Sequence, residues 1–176
     1  MLPVYKTKRL ILRQRCMDDF LRCLEMDKCY EVTKFIPGVW DGSEAHIRFL
    51  KKRFMKIFPS DLGYWSIFSK DDSSQFLGWI FLIPYDTIDS KVEIGWRLNK
   101  IFWGKGYATE AAHIILKHAF TVFRANCLVA DIHSKNSASV RVAEKIGLTF
   151  FTDCMIDNNI YKSYRLTRNK YLEAKS

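Results

Sequence analysis

From Val92 to Ala111 the chain reads VEIGWRLNKIFWGKGYATEA. A strand-like apolar run leads into a turn with two glycines and then straight into a helix-like run, so the hydrophobic period switches from 2 to 3.6. That switch demands a β–turn–α unit, and hence a sheet with a helix packed on it. The start of such a helix leaves backbone N–H groups unpaired and carries the positive end of the dipole. Gly104 and Gly106 let the backbone adopt φ > 0 and approach a ligand closely. A turn of this kind suits a diphosphate, and Lys105 adds positive charge. A β–α connection with no ligand has the same local pattern. Two competing motifs are excluded. No GxxxxGK[ST] run occurs, and GKG lacks the third glycine of a dinucleotide fingerprint and follows what reads as an antiparallel meander.

The rest of the chain supplies neighbours for this unit. Residues 9–13 are a short apolar run between charges and read as a strand. Asp18 and Asp19 open a helix through Phe20, Leu21, Leu24 and Glu25, acids that complement a helix start. Residues 28–42, with Pro37, Gly38 and Gly42, read as a loop. Ser43 and Glu44 begin a second helix with Ile47, Leu50, Phe54, Ile57 and Phe58 on one stripe. Strands are expected over residues 64–69, 76–84 and 92–98. The pattern then predicts a helix over 108–123, a strand over 127–133, a helix over 137–146 closed by Gly147, and strands near 149–153 and 160–166. The order is β-α-α-β-β-β-α-β-α-β-β. It describes a mixed α/β (α+β) domain, a largely antiparallel twisted sheet of about seven strands flanked by about four helices.

Composition narrows the function classes. The length of 176 residues suits one domain over residues 1–176. Aromatics at 15% and the absence of low-complexity runs exclude disorder as the main state. The longest nearly uncharged apolar run, residues 76–85, falls well short of the about 20 residues that a bilayer helix needs, so no membrane segment is expected. The net charge, 28 − 19 = +9, suggests an anionic partner: nucleic acid, an acidic protein surface or a phosphorylated small molecule. A solubilising surface explains it as well, and Arg48, Lys51, Lys52, Arg53 and Lys56 read as a solvated helix face before a nucleic-acid patch. The five cysteines are odd in number and form no CxxC pair, so reduced thiols and a cytoplasmic location are expected. The first residues lack the apolar core of a signal peptide. His113 and His118, five apart, read as helix-surface residues, and no metal is expected.

Three further residues stand out. Gly95, isolated in an apolar strand, marks either a bulge that would splay the strand from its neighbour or a seat beneath a bulky side chain. Alternation places Glu93, Gly95 and Arg97 on one face and Val92, Ile94, Trp96 and Leu98 on the core face. Asn136, at the end of the 127–133 strand, can cap the next helix or offer its amide to a ligand amide.

Taken together, residues 7–13 (TKRLILR) with Asp18 and Asp19, 93–95 (EIG), 103–111 (WGKGYATEA), 136–139 (NSAS) and 144–147 (EKIG) resemble the GNAT superfamily of N-acetyltransferases. Within it the RimJ/RimL-type branch is the nearest pattern, along nearly the whole chain. Trp103 stands where Gln or Arg is usual in the superfamily and is familiar in that branch. The resemblance implies a GNAT fold, with a splayed strand pair forming the acetyl-CoA cleft between residues 93–98 and 127–133. It implies that the backbone of Trp96, Arg97 and Leu98 pairs with the pantetheine arm. Trp103, Gly104, Lys105, Gly106, Tyr107, Ala108 and Thr109 would hold the pyrophosphate, and Asn136 and Ser139 would meet the pantetheine or the reacting end. Many members carry a tyrosine as general acid at the position of Ala143. Here Ser139, Ser137, a water, Tyr161 or Tyr164 would have to serve.

The implied reaction is acetyl transfer from acetyl-CoA to a primary amine by direct attack in a ternary complex, with Glu93 as the base and Ser139 as a second catalytic residue. The acceptor is a protein N-terminus, a ribosomal protein or a small amine. Tyr30, Phe35 and Trp40 either line its pocket or pack their loop onto the sheet, and Asp153 and Asp157 could attract a cation. A non-catalytic CoA-binding or nucleic-acid-binding module on the same fold is the alternative. The protein is expected to be a monomer or a homodimer.

Overall fold

The computed structural model describes residues 1–85 and 90–175. Its elements, in chain order, are β1 (Tyr5–Lys6), β2 (Leu10–Gln14), α1 (Phe20–Asp27), α2 (Tyr30–Thr33), α3 (Glu44–Met55), β3 (Gly63–Ser69), β4 (Phe76–Pro84), β5 (Lys91–Leu98), α4 (Tyr107–Thr121), β6 (Cys127–His133), α5 (Ser137–Lys145), β7 (Thr149–Ile156), β8 (Asn159–Thr167) and α6 (Arg168–Glu173). The strands form one sheet in the order β1-β2-β3-β4-β5-β6-β8-β7. Every neighbouring pair is antiparallel except β5 and β6, which run parallel because α4 carries the chain across between them.

The sheet is covered on both faces, by two separate apolar clusters. On one face Ile115 and Phe120 of α4 and Ile146 after α5 pack against Val92, Ile94, Leu128 and Leu148. On the other, Phe20 and Leu24 of α1 and Leu50 of α3 pack against Tyr64, Trp79 and Phe81. The alternation read in β5 is realised. Val92, Ile94 and Leu98 enter the first cluster, and Trp96 packs partly buried against it. Glu93, Gly95 and Arg97 face the α1–α3 side.

Local rules account for most boundaries. Ser43 caps α3 by accepting the His46 N–H. After α5 the Leu148 N–H bonds to Ala143 O and the Gly147 N–H to Glu144 O, with Gly147 at φ +91°: a Schellman closure that needs glycine. Asp157 and Asn158, both at positive φ, make the two-residue turn of the β7–β8 hairpin.

Several expectations are corrected. Among the described residues the sheet has eight strands, because Tyr5–Lys6 adds a short edge strand, and the loop over 28–42 contains the single turn α2. Helix α3 ends at Met55, which leaves Ile57 93% exposed rather than on the packed stripe. His118 is not a surface residue. It is buried, its Nδ1 2.6 Å from the Tyr5 hydroxyl and its Nε2 2.7 Å from Asp61 O, and so ties β1 and the 61–62 loop to α4. Of the two readings of Gly95, the seat holds and the bulge does not. The pairing of Gly95 with β4 runs unbroken, and a Cβ there would stand 2.4 Å from the Phe81 ring. The glycine is a seat for Phe81, and the divergence of β5 from β6 arises elsewhere: their pairing stops after Glu93 and Val129.

Gly95→Ala should therefore destabilise the fold by about 1–3 kcal/mol through overpacking against Phe81. Urea titration of this variant and of Gly95→Ala/Phe81→Leu checks the cause, because the double variant should regain much of the loss.

Candidate functional site

Beyond Glu93 the β6-facing edge of β5 has no strand partner among the described residues. A cavity of about 430 Å³ opens there. It is walled by Trp96, Arg97 and Leu98 of β5, by Trp103, Gly104, Gly106, Tyr107, Ala108 and Thr109, by Asn136 and Ser139 at the start of α5, and by residues of the 31–36 segment. Eleven of the twelve residues that the resemblance assigned to acetyl-CoA thus share one cavity wall. Lys105 and Glu93 are not part of it.

The wall is built from defined local geometry. Gly106 is the N-cap of α4 at φ +79°, and Gly104 has φ +74°, so both occupy the left-handed region as expected. The first-turn amides of this 15-residue helix lie at the cavity. The Trp103 indole donates from Nε1 to Leu98 O at 2.8 Å. The Leu98 carbonyl therefore already accepts one hydrogen bond from within the chain and keeps its second lone pair. Asn136 serves as the cap of α5, its Oδ1 accepting the Ser139 N–H at 3.2 Å. The cap uses the amide oxygen of Asn136, and the residue lines the cavity.

The 31–36 segment closes the opposite wall. Glu31 pairs with Lys100, and this hydrogen bond holds the exposed Glu31 carboxyl down to about 2. The Tyr161 hydroxyl donates to Phe35 O at 3.1 Å, and the Phe35 ring stacks on His133 with centroids 5.1 Å apart. Of the loop aromatics, Phe35 lines the cavity, Tyr30 is exposed, and Trp40 packs over the Arg97 guanidinium at 4.6 Å. Tyr161 is committed to Phe35, and Tyr164 lies buried in the first apolar cluster against Phe150. Ala143 is fully buried in that same cluster, away from the cavity wall. Asp153 and Asp157 lie on the β7–β8 hairpin, outside the wall.

The α1–α3 face of β5 carries the charges. Arg97 borders the cavity, but its guanidinium is turned to Asp27 of α1. Its buried guanidinium donates to Asp27 Oδ1 at 2.5 Å and is sandwiched between Trp40 and Trp79. His46 sits 3.6 Å from the other Asp27 oxygen. Nothing in the local pattern of β5 identified this partner, because Asp27 is seventy residues away in sequence. Glu93 lies two residues from Gly95 on the same face, half-buried. Burial first, and the neighbouring Asp131 next, push its carboxyl up to about 7 against the opposing pull of Arg53. Asp131, on β6 just past the point of divergence, accepts the Tyr85 hydroxyl at 3.0 Å. Its other oxygen and the hydroxyl of its cross-strand neighbour Ser163 are buried without a hydrogen-bond partner among the described residues. Sequence reasoning missed Asp131, although alternation within residues 127–133 puts it on the face opposite Leu128, Ala130 and Ile132.

Among the described residues no group of His, Cys, Asp and Glu is arranged to hold a metal, and no helix is long and apolar enough to cross a membrane. All five cysteines are free, and burial pushes the Cys23 thiol up to about 12.

A family model described as an acetyltransferase (GNAT) domain matches residues 9–149. The chain belongs to the GNAT acetyltransferases. The uncharacterized N-acetyltransferase YnaD of Bacillus subtilis is 31% identical over 159 residues, 87% of this chain and 88% of that one. A GNAT-family acetyltransferase from Bacillus anthracis superposes with a TM-score of 0.80 at 26% identity, covering 95% of this chain and 99% of the other. A spermidine N-acetyltransferase from Vibrio cholerae, in complex with CoA and spermine, shares the fold at TM-score 0.77 and 16% identity, covering 94% and 99%. This GNAT enzyme therefore carries its cavity at the parting of β5 and β6, and its high-pKa carboxylate beside it.

The elevated Glu93 pKa has a stability consequence. The folded state keeps a proton on Glu93 between the ordinary value of 4.5 and about 7, where the unfolded chain has lost it. Stability should fall as pH rises through that window. Glu93→Gln removes the effect, so the variant should melt at the same temperature as the wild type near pH 4 and at a higher one near pH 8. Calorimetry at the two pH values checks this.

Proposed function

We propose that this acetyltransferase is a single cytoplasmic GNAT domain of the RimJ/RimL type that passes the acetyl group of acetyl-CoA to a primary amine in a ternary complex. The observation that carries the reading is the divergence of β5 from β6 after Glu93. It puts a turn with free amides and two left-handed glycines on one side of the opening and a carboxylate with a pKa near 7 beside the other.

In this reading the amides of residues 106–109 and the helix dipole hold the diphosphate. The open edge of β5 at Trp96 and Arg97, together with the Asn136 amide nitrogen, aligns the pantetheine arm. Glu93, directly or through one water, takes a proton from the incoming ammonium, and a pKa near 7 suits a base working at neutral pH. The nitrogen lone pair then attacks the thioester carbonyl, whose oxygen gathers charge against backbone N–H groups of β5. As the carbon–sulfur bond breaks, its electron pair stays on sulfur, and the thiolate takes up a proton lost by the nitrogen. Ser139, half-buried in the wall, supports that last transfer in place of a tyrosine at Ala143. No covalent enzyme intermediate is required.

The acceptor is a protein N-terminus, a ribosomal protein or a small amine. Glu93 and Asp131 put two carboxyl groups on the α1–α3 face of a basic chain, and these favour an amine that arrives protonated.

Free-thiol release with acetyl-CoA and a panel of primary amines tests the activity; no turnover above hydrolysis would refute it. Glu93→Gln should lower turnover by about 10²-fold or more with acetyl-CoA affinity unchanged. The wild-type rate should climb as pH rises through about 7, the variant should lack that limb, and its deficit should narrow at high pH where the amine loses its own proton. Saturating acetyl-CoA should raise the melting temperature, by about 2.7 kcal/mol of stability at a hundred times its Kd. Gly106→Val should remove most of that gain, because a β-branched residue cannot hold φ +79° cheaply. Asn136→Ala should weaken acetyl-CoA binding beyond the loss of about 1 kcal/mol that a missing cap explains.

A further inference from the structure

The sequence TKRLILR at residues 7–13 carried family resemblance but no role in the reaction. In the fold its first residues meet the phosphate-type turn from behind. Arg9 Nη1 donates to Lys105 O at 2.9 Å, and its Nε donates to Glu110 Oε2 at 2.7 Å. The Arg9 amide and the Thr7 hydroxyl both donate to Glu110 Oε1, at 2.9 and 2.6 Å. The guanidinium lies 4.4 Å over the Tyr107 ring. Arg9 is not part of the cavity wall, whereas Gly104, Gly106 and Tyr107 are.

We propose that Arg9, locked by Glu110, is a positioning residue that orients the turn at residues 104–106 for the diphosphate of acetyl-CoA. This rests on reading that turn as the acetyl-CoA cradle. In a trans peptide the C=O and the next N–H point in opposite directions. Arg9 pulls Lys105 O to the rear of the turn, so the Gly106 N–H is directed away from Arg9, to the cavity side. The position where a Gly106 Cβ would stand is 3.5 Å from Arg9 Nη2, so the guanidinium backs directly onto the turn.

Charge supplies a second argument. Glu110 sits one turn into α4, where a bare carboxylate would repel the diphosphate that the helix start attracts. Burial disfavours its charge, but the bonds from Thr7 and from the Arg9 amide and guanidinium outweigh that and hold its carboxyl below the usual range. Glu110 thus remains ionised, and Arg9 is what neutralises it. The two residues act as one latch joining the start of β2 to the start of α4.

The test is isothermal titration of acetyl-CoA and steady-state kinetics on the full chain, with melting of the ligand-free protein as the fold control. Arg9→Ala should raise the acetyl-CoA Kd and KM by about ten-fold or more, while the amine KM stays within about two-fold. Adding Glu110→Gln to it should recover part of the lost affinity, because the unneutralised carboxylate is then gone. Arg9→Lys keeps a charge beside Glu110 but cannot bridge to Lys105 O as well, so it should hold the fold and still bind acetyl-CoA more weakly. If Arg9→Ala does not fold, Arg9→Lys decides the matter by the same readouts. Wild-type acetyl-CoA affinity in the Arg9 variants, an equal rise in amine KM, or a double variant that binds no better than Arg9→Ala would overturn the latch. A wild-type protein that fails to bind acetyl-CoA at all would instead overturn the cradle on which it rests.

Discussion

The arrangement of this molecule depends on one interruption: β5 and β6 are paired over Lys91–Glu93 and Cys127–Val129 and then part. A parallel pair needs a crossover, and the crossover here is α4, whose N-terminus is delivered to the opening by the short turn after β5. The backbone groups that the sheet fails to satisfy on one edge, and those that the helix cannot satisfy at its start, therefore face the same space. An acetyltransferase cavity at this point uses what the topology leaves unpaired.

Such an opening needs rigid edges, and the structure supplies them on both sides. Beneath the sheet, Phe81 fills the place of a missing Gly95 side chain and holds β5 against β4. On the same face Arg97 is fastened to Asp27 and flanked by Trp40 and Trp79, so α1 and the loop before α3 are tied to the strand that borders the cavity. Above it, Thr7, Arg9 and Glu110 fasten the turn to the start of β2. Across the cavity, Lys100 holds Glu31, and Tyr161 holds the backbone of Phe35. The carboxylate proposed as the base is different in kind. Glu93 is left half-buried next to a second acid, an arrangement that costs stability at neutral pH and raises its pKa, as functional carboxylates commonly require.

Much of this was legible from residue order. The shift of period from 2 to 3.6 around Trp103 located the turn, alternation in β5 sorted Glu93 from Val92 and Ile94, and glycine chemistry marked Gly104, Gly106 and Gly147. These are local properties: φ preference, helix-end valence and side-chain direction depend on a few neighbouring residues. Where the reading failed or stayed open, the deciding contact was distant. Gly95 left a bulge and a seat for a bulky side chain equally open, because the Phe81 that decides between them lies on another strand. His118 looked like a surface residue because Tyr5 and Asp61, its two partners, are far from it in sequence.

By itself, then, the sequence determined the β–turn–α unit, the faces of its strands and the family to which the chain belongs. Only the tertiary structure decided which charges meet. The turn over residues 104–106 was visible as a motif, but its clamp by Arg9 spans 96 residues. The pairing of Arg97 with Asp27 and the placing of Asp131 near Glu93 likewise follow from strand order and from helices packed across a sheet. Side-chain pairing across such separations is set by how the whole chain buries its apolar faces. No window of local pattern carries that information.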